Sequence, residues 1–111
     1  MAVAGFSLGG DLSWAIALRN PGVLRGAIVM ASRASYRPAS SDARALAERG
    51  TRFFLTMGSD DDRTRRRMAQ AAAAELDRLG IAYRFEVITG AGHEPPPPAI
   101  FAQALDFVLG R

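Results

Sequence analysis

The sequence contains no cysteine and no lysine, and only one histidine. Without cysteine there is no disulfide, no thiolate-held metal and no sulfur nucleophile. Without lysine, all 14 basic residues are arginine. That skew fits a GC-rich coding sequence, so the isoelectric point near 10.5 reflects codon supply as much as an acidic partner. With a lone histidine there is no histidine pair to hold a metal, and any imidazole chemistry falls to His93. No apolar run approaches the roughly 20 residues that span a bilayer, so no membrane segment is expected. No Gly-x-Gly-x-x-Gly phosphate fingerprint forms either. These absences together predict a protein without metal or organic cofactor. The first residues lack the charged start and cleavage site of a signal peptide, which points to a cytoplasmic protein, with export through an upstream segment as the alternative.

What is present is ordinary for one soluble globular domain: 111 residues, 49% hydrophobic and 23% charged, with net charge +3. The densest basic run is Arg63-Thr64-Arg65-Arg66-Arg67. It directly follows Asp60-Asp61-Asp62 and has no interleaved aromatics of the kind a single-strand groove uses. It therefore reads as a solvated first helical turn, and no nucleic-acid partner is expected.

Apolar periodicity alternates between two types along the chain. Met1 to Phe6 reads as a strand, and Leu8, Leu12 and Ile16 then recur at helical spacing, predicting a helix that packs through them. Arg19-Asn20-Pro21-Gly22 ends that helix. Gly26 to Ala31 is a continuous apolar run, the mark of a strand buried on both faces. A polar loop from Ser32 to Ser41 leads into a short helix over 42–49, with Asp42 as cap and Gly50 as stop. Arg52 to Gly58 forms the next strand, followed by a helix with Met68, Ala72, Leu76 and Leu79 on its apolar face. Tyr83 to Thr89 alternates apolar and polar residues, as a strand nearer a sheet edge does. After Pro95 to Pro98, a last helix carries Ile100, Phe101, Ala104, Leu105 and Val108. Strands alternating with helices at this spacing predict an α/β fold with a parallel sheet of about four strands.

Three short stretches carry chemistry. Gly5-Phe6-Ser7-Leu8-Gly9-Gly10 has the Gly-x-Ser-x-Gly form of a nucleophile elbow, placed as that motif requires between a strand and a helix. Its glycines, Gly5 and Gly9, are expected where strand and helix crowd together. A serine hydroxyl needs a base to take its proton, and His93, in a glycine-flanked loop past the last strand, is the one imidazole available. The base needs a carboxylate to fix its tautomer. Asp60, Asp61 and Asp62 follow a strand in the expected order of serine, acid and histidine. Asp62 is best placed to cap the next helix, Asp61 is the preferred acid, and Asp60 is its rival.

With these motifs in hand, the whole chain resembles the C-terminal half of an α/β-hydrolase. It is most similar to the esterase branch that includes carboxylesterase/phospholipase-like and polyhydroxyalkanoate-depolymerase-like enzymes. Gly5 to Gly10 matches that branch's elbow, Met57-Gly58-Ser59-Asp60-Asp61 resembles its Gly-x-x-Asp segment, and Gly90-Ala91-Gly92-His93 resembles its Gly-x-Gly-His loop. The resemblance implies hydrolysis of a small-molecule ester through an acyl-enzyme on Ser7, with His93 as base and Asp61 as orienting acid. The backbone N–H of Leu8 would then be one oxyanion donor. It also implies a single partial domain over residues 1–111, whose first strand corresponds to the fold's fifth. A second oxyanion donor, from a loop after the third strand, has no counterpart in the sequence. The expected alternative is a truncated, non-catalytic hydrolase piece. The first strand would form an exposed apolar edge, through which self-association is expected.

Overall fold

The computed structural model describes residues 1–111. Its elements follow the order β1 (Ala2–Phe6), α1 (Leu8–Arg19), β2 (Gly26–Met30), α2 (Ser40–Glu48), β3 (Arg52–Gly58), α3 (Arg63–Arg78), β4 (Ala82–Ile88) and α4 (Pro98–Leu109). The four strands form one sheet in the order β1-β2-β3-β4, every pair parallel. This is the α/β architecture that the alternating periodicity predicts.

Each of α1, α2 and α3 joins two neighbouring parallel strands. Right-handed crossovers therefore put all three on one face of the sheet. Trp14, Leu46 and Leu76 from these helices share a core with Val29, Phe53 and Leu55. Strand alternation sends Ile28, Met30 and Phe54 to the other face, where α4 covers them with Ala104 and Val108. Every residue of β2 is buried, as its unbroken apolar run requires. By contrast β4 lies at a sheet edge and is at most half-buried along its length. The proline run also finds a use: Pro98 opens α4, where a residue lacking an N–H costs nothing. No helix is long and apolar enough to cross a membrane.

Four local expectations need correction. The helix α1 does not pack through Leu8, Leu12 and Ile16, which are 70%, 57% and 46% exposed. It packs through Gly10, Ser13, Trp14, Ala17 and Leu18, on the opposite side. In α2 the cap is Ala39, without a side-chain bond, and Asp42 sits within the first turn. There its charge complements the helix dipole and leaves the amides uncapped. The buried face of α3 is Ala69, Ala72, Ala73 and Leu76, with Met68 and Leu79 only half-buried at its margins. At the elbow, a side chain at Gly9 would meet open space, so its glycine is not required by crowding of its own Cβ.

The fold places every strand's carboxyl end at one rim. Phe6, Met30, Gly58 and Ile88 end there, and the loops carrying Ser7, Ser32, Asp61 and His93 follow them. Strand β1 has β2 on one side and no strand on the other, leaving its outer edge unpaired.

Candidate active site

The elbow is a strained turn held by its neighbours. Ser7 has φ 57° and ψ −117°, a region that a non-glycine residue rarely occupies. Its amide donates to the Met30 carbonyl at 2.8 Å, and its carbonyl accepts from the Asp11 amide at 3.0 Å, pinning it to β2 and α1. Gly5 is needed because any side chain there would run into the Gly9 carbonyl and come within 2.7 Å of Ser13 Oγ. A Cβ at Gly10 would stand 2.9 Å from the Ser32 Cβ, so that glycine lets α1 approach the loop after β2. Ser7 occupies the N-cap position of α1, where serine normally bonds to its own helix, yet its side chain makes no cap bond. Its hydroxyl instead lies 2.9 Å from His93 Nε2, across 86 residues of sequence.

The imidazole is fixed on its other side. His93 Nδ1 lies 2.9 Å from Asp61 Oδ2. An ionised carboxylate only accepts, so Nδ1 carries the proton and Nε2 of the neutral ring accepts from the Ser7 hydroxyl. The Phe6 ring lies against the imidazole, with centroids 5.1 Å apart and planes at 33°. The His93 side chain is 36% exposed and that of Asp61 only 1% exposed, so the pair has a buried end and an open end.

Burial would by itself push the Asp61 carboxyl up. Hydrogen bonds from His93, from the Asp62 amide and from Arg65 outweigh it and hold the group below its ordinary value of 3.8. The Asp62 amide and Arg65 Nη1 both reach Oδ1, each at 2.6 Å, while His93 takes Oδ2. Arg66 Nε donates to the Asp61 carbonyl at 2.9 Å.

The three aspartates therefore part company. Asp61 meets His93. Asp62 caps α3, accepting from the Arg65 amide at 3.0 Å. Asp60 is exposed, with its carboxylate 3.4 Å from the Ser59 hydroxyl and no hydrogen bond or ion pair to His93. The basic run is corrected in the same way: Arg63 and Arg67 are exposed, but Arg65 and Arg66 fold back onto the acid loop. The available signal was the i,i+4 spacing of Asp61 and Arg65.

Further contacts lock the loops together, and sequence reasoning did not find them. The Asp60 amide donates to Ala91 O at 2.8 Å, and the Gly90 amide donates to Ser59 Oγ at 2.8 Å. Ser32 Oγ donates to Asp11 Oδ1 at 2.5 Å, tying the loop after β2 to α1. These partners lie 21 and 31 residues apart and leave no local pattern to read.

A pocket of about 90 Å³ opens beside the hydroxyl, lined by Ser7, Leu8, Asp11, Ala31, Arg33 and Arg65. The Leu8 amide is the first of α1, one of those left without an intrahelical acceptor. A larger cleft of about 490 Å³ lies at the amino ends of the strands, beside Arg25 and Arg52, and touches none of these groups. No three His, Asp or Glu side chains gather as metal ligands.

Comparison with known proteins gives this geometry a context. A family model described as phospholipase/carboxylesterase matches residues 1–108. Among solved structures, SOBER1 of Arabidopsis thaliana is 25% identical with TM-score 0.72, over 96% of this chain and 50% of that one. A carboxylesterase from Mesorhizobium loti is 28% identical with TM-score 0.71, over 94% of this chain and 48% of that one. An uncharacterised protein from Bacillus cereus ATCC 10987 shares the fold with TM-score 0.77 at 18% identity, over 96% of this chain and 35% of its own. The chain thus spans about half the length, or less, of the structures it resembles. No curated protein matches at comparable significance. With the family match running almost end to end, the chain belongs to the phospholipase/carboxylesterase family of α/β-hydrolases.

Proposed function

We propose that this chain carries the catalytic groups of a serine hydrolase acting on carboxylic esters of small molecules. The observation that carries the reading is the unbroken hydrogen-bonded line from Ser7 Oγ through His93 to Asp61, with 2.9 Å at each step. Ser7 Oγ attacks the ester carbonyl while His93 Nε2 takes the hydroxyl proton. The carbonyl oxygen becomes an oxyanion facing the Leu8 amide. Collapse breaks the bond to the alcohol, which leaves with the proton returned from Nε2. Water then enters, gives a proton to His93 and releases the acid, and Ser7 recovers its hydrogen. Throughout, Asp61 holds Nδ1–H and stabilises the imidazolium without itself being protonated.

A second reading, a folded but non-catalytic piece of a hydrolase, is favoured by two observations. The chain covers about half the length of the similar carboxylesterase, and β1 presents an unpaired edge. An oxyanion site usually needs more than one donor, and loss of one typically costs about 100- to 1,000-fold in rate. Reaction with a fluorophosphonate probe separates the readings. Labelling of wild type that disappears in both Ser7→Ala and His93→Ala supports the enzyme. Folded, soluble wild type that stays unlabelled supports the non-catalytic piece.

A further inference from the structure

Arg65 holds the acid of the candidate triad through a geometry that its own helix dictates. Asp62 accepts from the Arg65 amide, so the cap fixes where the first turn of α3 begins and the direction in which residue 65 points. That direction returns the side chain to Asp61, one residue before the cap, at 2.6 Å. The pair is not a surface ion pair of the kind that contributes little, because the two side chains are 18% and 1% exposed. Its placement on the carboxylate is also specific. Oδ1 receives both the guanidinium and the Asp62 amide, leaving Oδ2 to His93.

We infer that Arg65 is a positioning residue, which commits one oxygen of Asp61 and thereby fixes the other, and the His93 tautomer, in line with Ser7. A carboxylate free to turn about its own axis would offer either oxygen to the ring and spread the imidazole over several orientations. With Oδ1 taken, a single orientation remains. The neighbouring charged groups do not duplicate this role. Arg66 reaches only the Asp61 carbonyl, Asp62 is engaged at the helix cap, and Asp60 is exposed and bonded toward Ser59. On the site's other wall, Asp11 is held by Ser32 and the Arg33 amide. Glu94, next to His93 in the chain, is exposed, and its amide turns back to Gly92.

The catalytic consequence rests on the proposed hydrolase reading, but the test does not. His93 is the sole histidine, so nitrogen-15 NMR of the full chain reads its tautomer without assignment ambiguity. The neutral ring of wild type is expected to show protonated Nδ1 and unprotonated Nε2. Arg65→Gln and Arg65→Met, the latter keeping the apolar stem, should mix the tautomers. They should also slow fluorophosphonate labelling of Ser7 by about 10- to 100-fold, the range expected from displacing a reacting group by a fraction of its contact distance. Arg65→Lys, which keeps a cation at Oδ1, should retain the wild-type tautomer, and Arg66→Gln should do so too. A folded Gln or Met variant with wild-type tautomer and labelling rate overturns the inference. So does a folded Lys variant that loses the tautomer, which is the deciding result if the other two do not fold. If wild type never labels, the hydrolase reading fails while the tautomer comparison still judges Arg65.

Discussion

The hydroxyl of Ser59 accepts the amide of Gly90 at 2.8 Å and so fastens the acid loop to the histidine loop. A Cβ on Gly58 would run into the carbonyls of Ala91 and Gly92, so the same two loops also touch through backbone alone. The Asp61–His93 bond thus lies between segments already fixed relative to each other, which limits the ordering entropy that the side chains must lose.

Ser59→Ala should leave the fold intact and loosen this junction. Loss of one side-chain hydrogen bond to a backbone amide is expected to cost about 0.5–1.5 kcal/mol. It should appear as a lower denaturant midpoint at unchanged m value, with faster hydrogen exchange at Gly90. Exchange at Gly90 equal to wild type would show that the backbone contacts alone hold the loops.

The three consecutive aspartates should respond to substitution in three different ways. Asp61→Asn keeps the shape but can donate toward Nδ1 and favour the wrong tautomer, and the comparable change in a serine protease triad lowers kcat about 10⁴-fold. Probe labelling of Ser7 should therefore collapse in this variant. Asp62→Ala should cost about 1 kcal/mol of stability through the lost cap and, by loosening the turn that aims Arg65 at Asp61, slow labelling by no more than Arg65→Gln does. Asp60→Ala should leave both nearly unchanged. A larger labelling defect from Asp60→Ala than from Asp61→Asn would assign the acid to the wrong residue here.

That division marks the boundary of what the sequence discloses. The strands were legible because Gly26–Met30 is an unbroken apolar run and Phe53–Met57 is interrupted only by Thr56, and the loops that follow carry the motif residues. Ser7, Asp61 and His93 come together because parallel strands end at one rim, a consequence of topology that the alternating pattern already implies. The packing face of α1 was not legible. Its buried side includes Gly10, Ser13 and Ala17, small residues with little hydrophobic signal, while Leu8, Leu12 and Ile16 form an equally regular stripe pointing outward. The arginine run misled in the opposite sense. Charge runs usually lie in solvent, and only the position of the Asp62 cap determines which arginine returns to Asp61.

Acid should weaken the folded state through Asp61. Its carboxyl is held below 3.8, so the unfolded chain takes up the proton first as pH falls. The stabilisation is complete above the unfolded value and disappears as pH drops through the lower folded one. Urea midpoints of wild type and Asp61→Asn should accordingly differ most near neutral pH and converge at an acid limit set by the lowered folded value, where both states are protonated. A difference that stays constant from neutral pH down to that limit would mean that the Asp61 charge contributes nothing to folding.

The outward stripe of α1 and the bare edge of β1 together predict behaviour in solution. Polar replacement of a buried leucine or isoleucine typically costs several kcal/mol, because truncation alone costs about 2–5 kcal/mol. Leu12 and Ile16 are 57% and 46% exposed, so Leu12→Glu and Ile16→Glu should cost far less. An exposed strand edge and a neighbouring apolar stripe favour association between copies, because pairing satisfies the edge amides and carbonyls while covering the leucines. Sedimentation velocity over a concentration series should show the wild-type chain self-associating and the double Glu variant shifted toward monomer at equal helix content. A wild type that remains monomeric at high micromolar concentration would rule out the edge as a contact between copies. A double variant that unfolds would show that α1 packs through the stripe after all.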